Sequence, residues 1–118
     1  IEQLKITSED AIKIIEQKGK KEEYEKRRVL RMIKEGKIEK MKEWIAQAEE
    51  EKMNPEEKNL LAVVHLKIWE AEGNEEHFKK AEEILKRLKT KKAYTNLAIA
   101  HAKKGNKLKA IIYAFKAR

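Results

Sequence analysis

"LLAVVHLKIWEAEGNEEHFKKAEEILKRL", Leu60 to Leu88, decides the fold. Its first half is apolar almost all round, with Leu60, Leu61, Ala62, Val63, Val64, Leu66, Ile68 and Trp69 leaving little room for a polar stripe. A helix of that kind must be covered on more than one side, so it belongs in the middle of a stack. Its second half carries Phe78, Ala81 and Leu85 among charged residues, the pattern of a helix buried along one stripe. Gly73 stands between them as a helix stop, so the stretch reads as two helices folded back on each other.

Working outward, the other glycines and the single proline repeat this punctuation. Asn54-Pro55 places proline at the first helical position, where its fixed backbone angle suits the helix, so the middle helix begins there. Upstream, "TSEDAIKIIEQKG" opens on Thr7-Ser8 as an N-cap and stops near Gly19, "KKEEYEKRRVLRMIKEG" runs to Gly36, and "KIEKMKEWIAQAEEEKM" runs to the residue before Asn54. Downstream, "AYTNLAIAHAKKGNKLKAIIYAFKAR" reads as two helices flanking Gly105. The expectation is about seven helices with short connections, which forces neighbours to lie antiparallel. The chain of 118 residues makes one domain, residues 1–118, of an all-α class.

Composition agrees. Helix formers dominate, and charged residues make up 42% of the chain. So much charge would suit disorder, but apolar residues recur at helical spacing along nearly the whole length. Cysteine is absent, which removes disulfides and thiolate chemistry and suits the cytoplasm. No stretch reads as a signal peptide or reaches membrane-spanning length, so no membrane partner is expected. The excess of Lys and Glu over Arg and Asp fits a heat-loving source.

The corners recur. "KEGKIEKMKEW", "AEGNEEHFKKAEEIL" and "KKGNKLKAIIYAF" each place glycine and a polar residue before an amphipathic helix. Gly36 to Gly73 is 37 residues and Gly73 to Gly105 is 32, a recurrence that signals an array of helical hairpins. The final hairpin resembles a tetratricopeptide repeat. Tyr94 stands at the motif's first large aromatic, Leu97-Ala98 at its Leu-Gly/Ala pair, Gly105-Asn106 at its corner, and Ala110 and Ala117 at the small residues of the second helix; His101 replaces a preferred tyrosine. Trp69, Gly73-Asn74, Phe78, Ala81 and Leu85 match the preceding unit with about three residues inserted after the corner. The unit around Gly36 keeps the corner, Ile38 and Ala48, with Arg27 and Arg28 near the Leu-Gly/Ala position.

The best-matching repeats are 55–89 and 91–118. The resemblance implies a right-handed stack of antiparallel hairpins, an α-solenoid, whose first helices line a groove for a peptide or partner helix. It implies that Leu60, Val63, Lys67 and Glu70 from one unit and Lys92, Thr95, Ile99, Ala102 and Lys103 from the next face that groove, with Asn96 at a position that often holds a ligand backbone. The physical expectation is that Ala98 and Ala110 let helix backbones approach while Tyr94, Trp69 and Phe115 fill gaps.

Catalytic and metal motifs are missing from the sequence. There is no Gly-rich phosphate loop, no paired-histidine motif and no cysteine cluster, so no cofactor and no metal is expected. His65 and His101 read as satisfied core histidines, and His77, beside Glu75 and Glu76, as a first-turn surface residue. Trp44 and Trp69 read as packing residues. Glu22–Lys26 and Glu82–Lys86 stand at helical ion-pair spacing, and no carboxylate pair suggests a general acid and base. The expectation is a non-enzymatic protein.

Charge is divided unevenly. From residue 84 on the chain carries +11 and no acid, and the part before it carries −3. Lys86, Arg87, Lys89, Lys91, Lys104, Lys107 and Lys109 form a candidate basic patch. The favoured reading is an interaction module for an acidic or amphipathic segment. The alternative is nucleic-acid binding by the basic C-terminal hairpin, weakened by the preference for lysine over arginine. Ile111, Ile112 and Phe115 do not all fit one narrow stripe, so part of that surface is expected to lack a cover and to pack on something, self-association through this hairpin being one way.

Overall fold

A computed structural model describes residues 23–118. The expected helix at residues 7–19, its Thr7-Ser8 cap, the Gly19 stop and the Glu22 partner of Lys26 lie outside the described residues. Those described are mostly helical, with no strand among them. Six α-helices follow in order: α1 over residues 23–35, α2 Ile38–Gln47, α3 Pro55–Glu72, α4 Glu75–Leu88, α5 Lys91–Lys104 and α6 Lys107–Lys116.

Their ends follow local chemistry. Asn54 caps α3 by accepting from the Glu57 backbone N–H at 2.8 Å, and Glu57 accepts from the Asn54 N–H at 3.2 Å, so two orphan donors are satisfied reciprocally. Asn74 and Thr90 cap α4 and α5 with one bond each, accepting from the backbone N–H of Glu76 and of Ala93. Gly36 and Gly105 close their corners alike. Lys37 N–H donates to Met32 O at 3.0 Å, and Asn106 N–H donates to His101 O at 2.8 Å, each spanning five residues back. Both glycines have left-handed φ, +67° and +89°. Gly73, at φ +72°, ends α3 with a single bond to Trp69 O at 2.7 Å.

The reading of residues 37–53 as one helix is corrected. The α2 helix stops at Gln47, and Glu50–Lys52 form a short 3-10 turn. Three consecutive glutamates, 49 to 51, would oppose the negative end of a helix, and Pro55 disfavours helical backbone just before it. Glu50 instead turns to α4, accepting from Arg87 at 2.8 Å and lying 3.3 Å from Lys80.

The core sits on two sides of α3. Val64 and Ile68 pack with Val29, Met32 and Met41 of α1 and α2. Leu61, Ala62 and Leu66 pack with Phe78, Ala81, Ile84 and Leu85 of α4 and with Ala93, Leu97 and Ala100 of α5. Trp44 and Ile45 border both clusters. The middle position expected for this helix is what the structure shows. The closest contacts between helices lie within α3/α4 and within α5/α6, with α4 against α5 and α3 touching α5 as well.

Two small residues are reassigned. Ala62, Ala81 and Ala93 are fully buried at the helix contacts, while Ala98 and Ala110 are only half-buried. The packed stripe of α5 is Ala93, Leu97, Ala100 and His101, which leaves Ala98 on its margin. Trp69 and Phe78 meet edge to face at 4.9 Å, Phe78 meets His101 at 5.4 Å, and His101 stacks on Tyr113 at 5.6 Å. Tyr94 stacks on the other end of this run, 6.1 Å from Tyr113, so aromatic rings connect α3 to α6. Phe115, expected to fill a gap, stands exposed.

Lys89 caps α4 with φ +53°, a left-handed backbone without glycine. Lys89→Gly should therefore stabilise the protein by about 0.5 kcal/mol, the relief of strain outweighing the added freedom of the unfolded chain. Gly105→Ala should destabilise it by about 1 kcal/mol although the site has open space for a methyl group. Urea unfolding of the two variants checks both signs.

Candidate partner-binding face

The residues proposed for the groove lie on α3 and α5, which run side by side in the same direction. Near their starts Asn96 Nδ2 donates to Asn59 Oδ1 at 3.0 Å. Near their ends Lys103 Nζ donates to Glu70 Oε1 at 2.7 Å, and Lys67 lies 3.9 Å from the same carboxylate. At the start of α3, Lys26 of α1 pairs with Glu56. Polar ties thus link α1 to α3 and α3 to α5.

The predicted residues differ in availability. Leu60 is half-buried and packs toward Val29 and Met41, and Val63 is half-buried. Thr95 is exposed, but its hydroxyl donates to Lys91 O at 2.8 Å, one turn back. Asn96 directs its amide to Asn59, and Lys103 to Glu70, so both are engaged within the chain. Lys92 is exposed, and Ile99 is 49% exposed, a large apolar side chain between cationic neighbours.

The basic patch divides. Arg87 is bound to Glu50, Lys86 lies 3.8 Å from Glu82, and Lys104 donates to Glu75 at 2.5 Å while its ammonium sits 4.0 Å over the Phe78 ring. The Lys104 contact holds the Glu75 carboxyl below its ordinary range, with help from the Trp69 indole N–H. Lys89, Lys91, Lys107 and Lys109 make no ion pair among the described residues. The first two flank the start of α5 and the last two follow its end, about 20 Å away along a helix of this length.

The histidines occupy the interior, one of them against expectation. His65 is buried and its Nδ1 lies 2.9 Å from His77 Nδ1, so one ring donates and the other accepts. His77 is therefore half-buried rather than a plain surface residue. Position in the first turn pointed outward; the i, i+12 contact across the Gly73 corner turns it in. Burial, the neighbouring His77 and Lys80 push His65 down to about 4, with Glu50 opposing.

His101 is 1% exposed. Asn106 Nδ2 can only donate, so His101 Nδ1 accepts it at 3.2 Å and the ring proton sits on Nε2. Glu82 Oε2 is 2.7 Å from that nitrogen but off the N–H direction, a close polar contact without an aligned hydrogen bond. Burial lowers the pKa of His101, and Glu82 opposes the shift.

Trp44 and Trp69 are half-buried and pack against the core, and their indole N–H groups donate to Glu25 at 3.1 Å and Glu75 at 3.3 Å. Among the described residues no group of three or more His, Asp or Glu could hold a metal ion, and no helix is long and apolar enough to cross a membrane. No family model, curated protein or solved structure matches the chain.

Between about pH 6.5 and 4 the folded chain, with His65 neutral, binds fewer protons than the unfolded one. Stability should be complete above the ordinary histidine range and fall as pH drops through this window. Urea unfolding at pH 7, 6 and 5 should show the decline, and His65→Leu should reduce it.

Proposed function

We propose that the chain is a non-enzymatic protein-interaction module, a right-handed TPR-like stack of antiparallel hairpins that holds an acidic or amphipathic peptide or partner helix on the face shared by α3 and α5. The observation that carries the reading is the parallel, side-by-side placement of these two helices, tied at Asn59–Asn96 and Glu70–Lys103. Two helices held in register make a rigid bed, and rigid beds bind segments at low entropic cost. Exposed Ile99 supplies apolar contact, with Lys92 and Lys103 placed on the same face to attract carboxylates. An acidic ligand competes with Glu70 for Lys103, so binding selects for acids at that end.

The nucleic-acid alternative has less support. Its cations fall into two groups at opposite ends of α5, and three of the seven are bound to glutamates. The absence of cysteine suits a cytoplasmic setting.

Fluorescence anisotropy with an acidic amphipathic peptide tests the proposal. Lys92→Glu/Lys103→Glu should weaken binding about tenfold, the effect of two exposed charge contacts. Ile99→Ser should weaken it without changing the salt dependence. Equal affinity in wild type and both variants removes the face from consideration.

A further inference from the structure

We infer that the outer side of α6 is a second docking surface, and that it takes an amphipathic helix of a partner protein with acidic residues along its flanks. The inference does not depend on the α3/α5 face. It starts from the angular placement of side chains on α6. At about 100° per residue, Ala110, Tyr113 and Ala117 lie on one side, and Leu108, Ile111, Ile112 and Phe115 on the other. The first group is half-buried, Tyr113 stacking on Tyr94 and His101 of α5. The second group is 72%, 55%, 44% and 62% exposed. The sequence leads to the expectation that part of this surface lacks a cover; among the described residues none covers the stripe, and no residue of α6 is fully buried.

A helix apolar on two opposite sides is built to lie between two neighbours. The α3 helix has that character and is covered on both sides. Among the described residues the α6 helix has a neighbour on one side, α5. The spacing of Leu108, Ile111, Ile112 and Phe115 is i, i+3, i+4, i+7, the seam that receives another helix along two turns.

Charge selects the occupant. Lys109 and Lys116 flank the stripe on one side and Lys107 on the other, and no acid occurs from residue 84 onward. Lys103, Lys104 and Arg87, which lie nearest the acids of α3, α4 and the Glu50 turn, are already paired with them. Lys107 and Lys109 make no ion pair among the described residues, so glutamates or aspartates on a docking helix would meet unspent cations. A second copy placed face to face across a two-fold axis would set Lys107, Lys109, Lys116 and Arg118 against the same charges, which disfavours a homodimer here.

The probes are two synthetic amphipathic helices with the same leucine seam, one flanked by glutamates and the other by lysines. At low salt the glutamate-flanked helix should bind the full chain at least about tenfold more tightly than its twin. Ile111→Glu/Phe115→Glu should lose that binding, and Lys107→Glu/Lys109→Glu should reverse the preference. These positions are exposed, so circular dichroism should show both variants folded. Lys92→Glu/Lys103→Glu should leave binding of the glutamate-flanked helix unchanged, which separates failure here from failure of the α3/α5 face. The proposal is overturned if both helices bind equally or not at all, or if Ile111→Glu/Phe115→Glu binds like wild type. It is also overturned if sedimentation shows wild type as a dimer that this variant converts to monomer, since a second copy then covers the face.

Discussion

Burial of α3 on two sides is the constraint from which the rest of the architecture follows. Its apolar residues cannot be hidden by one neighbour, so α1 and α2 cover Val64 and Ile68 while α4 and α5 cover Leu61, Ala62 and Leu66. Each of those covering helices is amphipathic or partly so, and each needs only a helix next to it. The chain can meet both demands because α3, at 18 residues, is long enough to take neighbours on both sides. Removing apolar volume at Val64 or Ile68 would therefore loosen the front half from the back half rather than open a void in one compact centre.

The uneven charge of the sequence closes in space. The acid-bearing helices and the base-bearing ones are neighbours, and ion pairs tie them together, among them Glu50 to Arg87, Glu70 to Lys103 and Glu75 to Lys104. Exposed pairs of this kind contribute little each. Their placement matters more for register, since each fixes where one helix stands along another. The aromatic run from Trp69 through Phe78, His101 and Tyr113 does the same work in the interior. Lys89, Lys91, Lys107 and Lys109 at the start of α5 and on α6 make no ion pair among the described residues, and no acid follows residue 83, so positive charge gathers at this end of the sequence.

The helices, the corners at Gly36, Gly73 and Gly105, and the central place of α3 were legible from the sequence because they depend on local backbone preference and on apolar periodicity. Three features were not. The α2 helix ends at Gln47 because Glu50 is drawn to Arg87 and Lys80, a contact between distant residues. Ala98 yielded its packing role to Ala93 and Ala100 because the orientation of α5 about its axis is set by its neighbours. His77 turned inward because His65 offered a partner across the corner. On the α3/α5 face, Ile99 and Lys92 could be placed by helical spacing, but nothing in spacing shows that Asn59 occupies the Asn96 amide. The exposed stripe of α6 was only half visible, since the sequence shows its apolar residues without showing that α5 uses the opposite side.

The corners at Gly36 and Gly105 satisfy their hydrogen bonds within the five residues that precede them. Neither borrows a donor or acceptor from another helix to hold its shape. Such a bend is set by its own residues, so exchanging the helices on either side of it for others of equal length would leave the form of the turn unchanged.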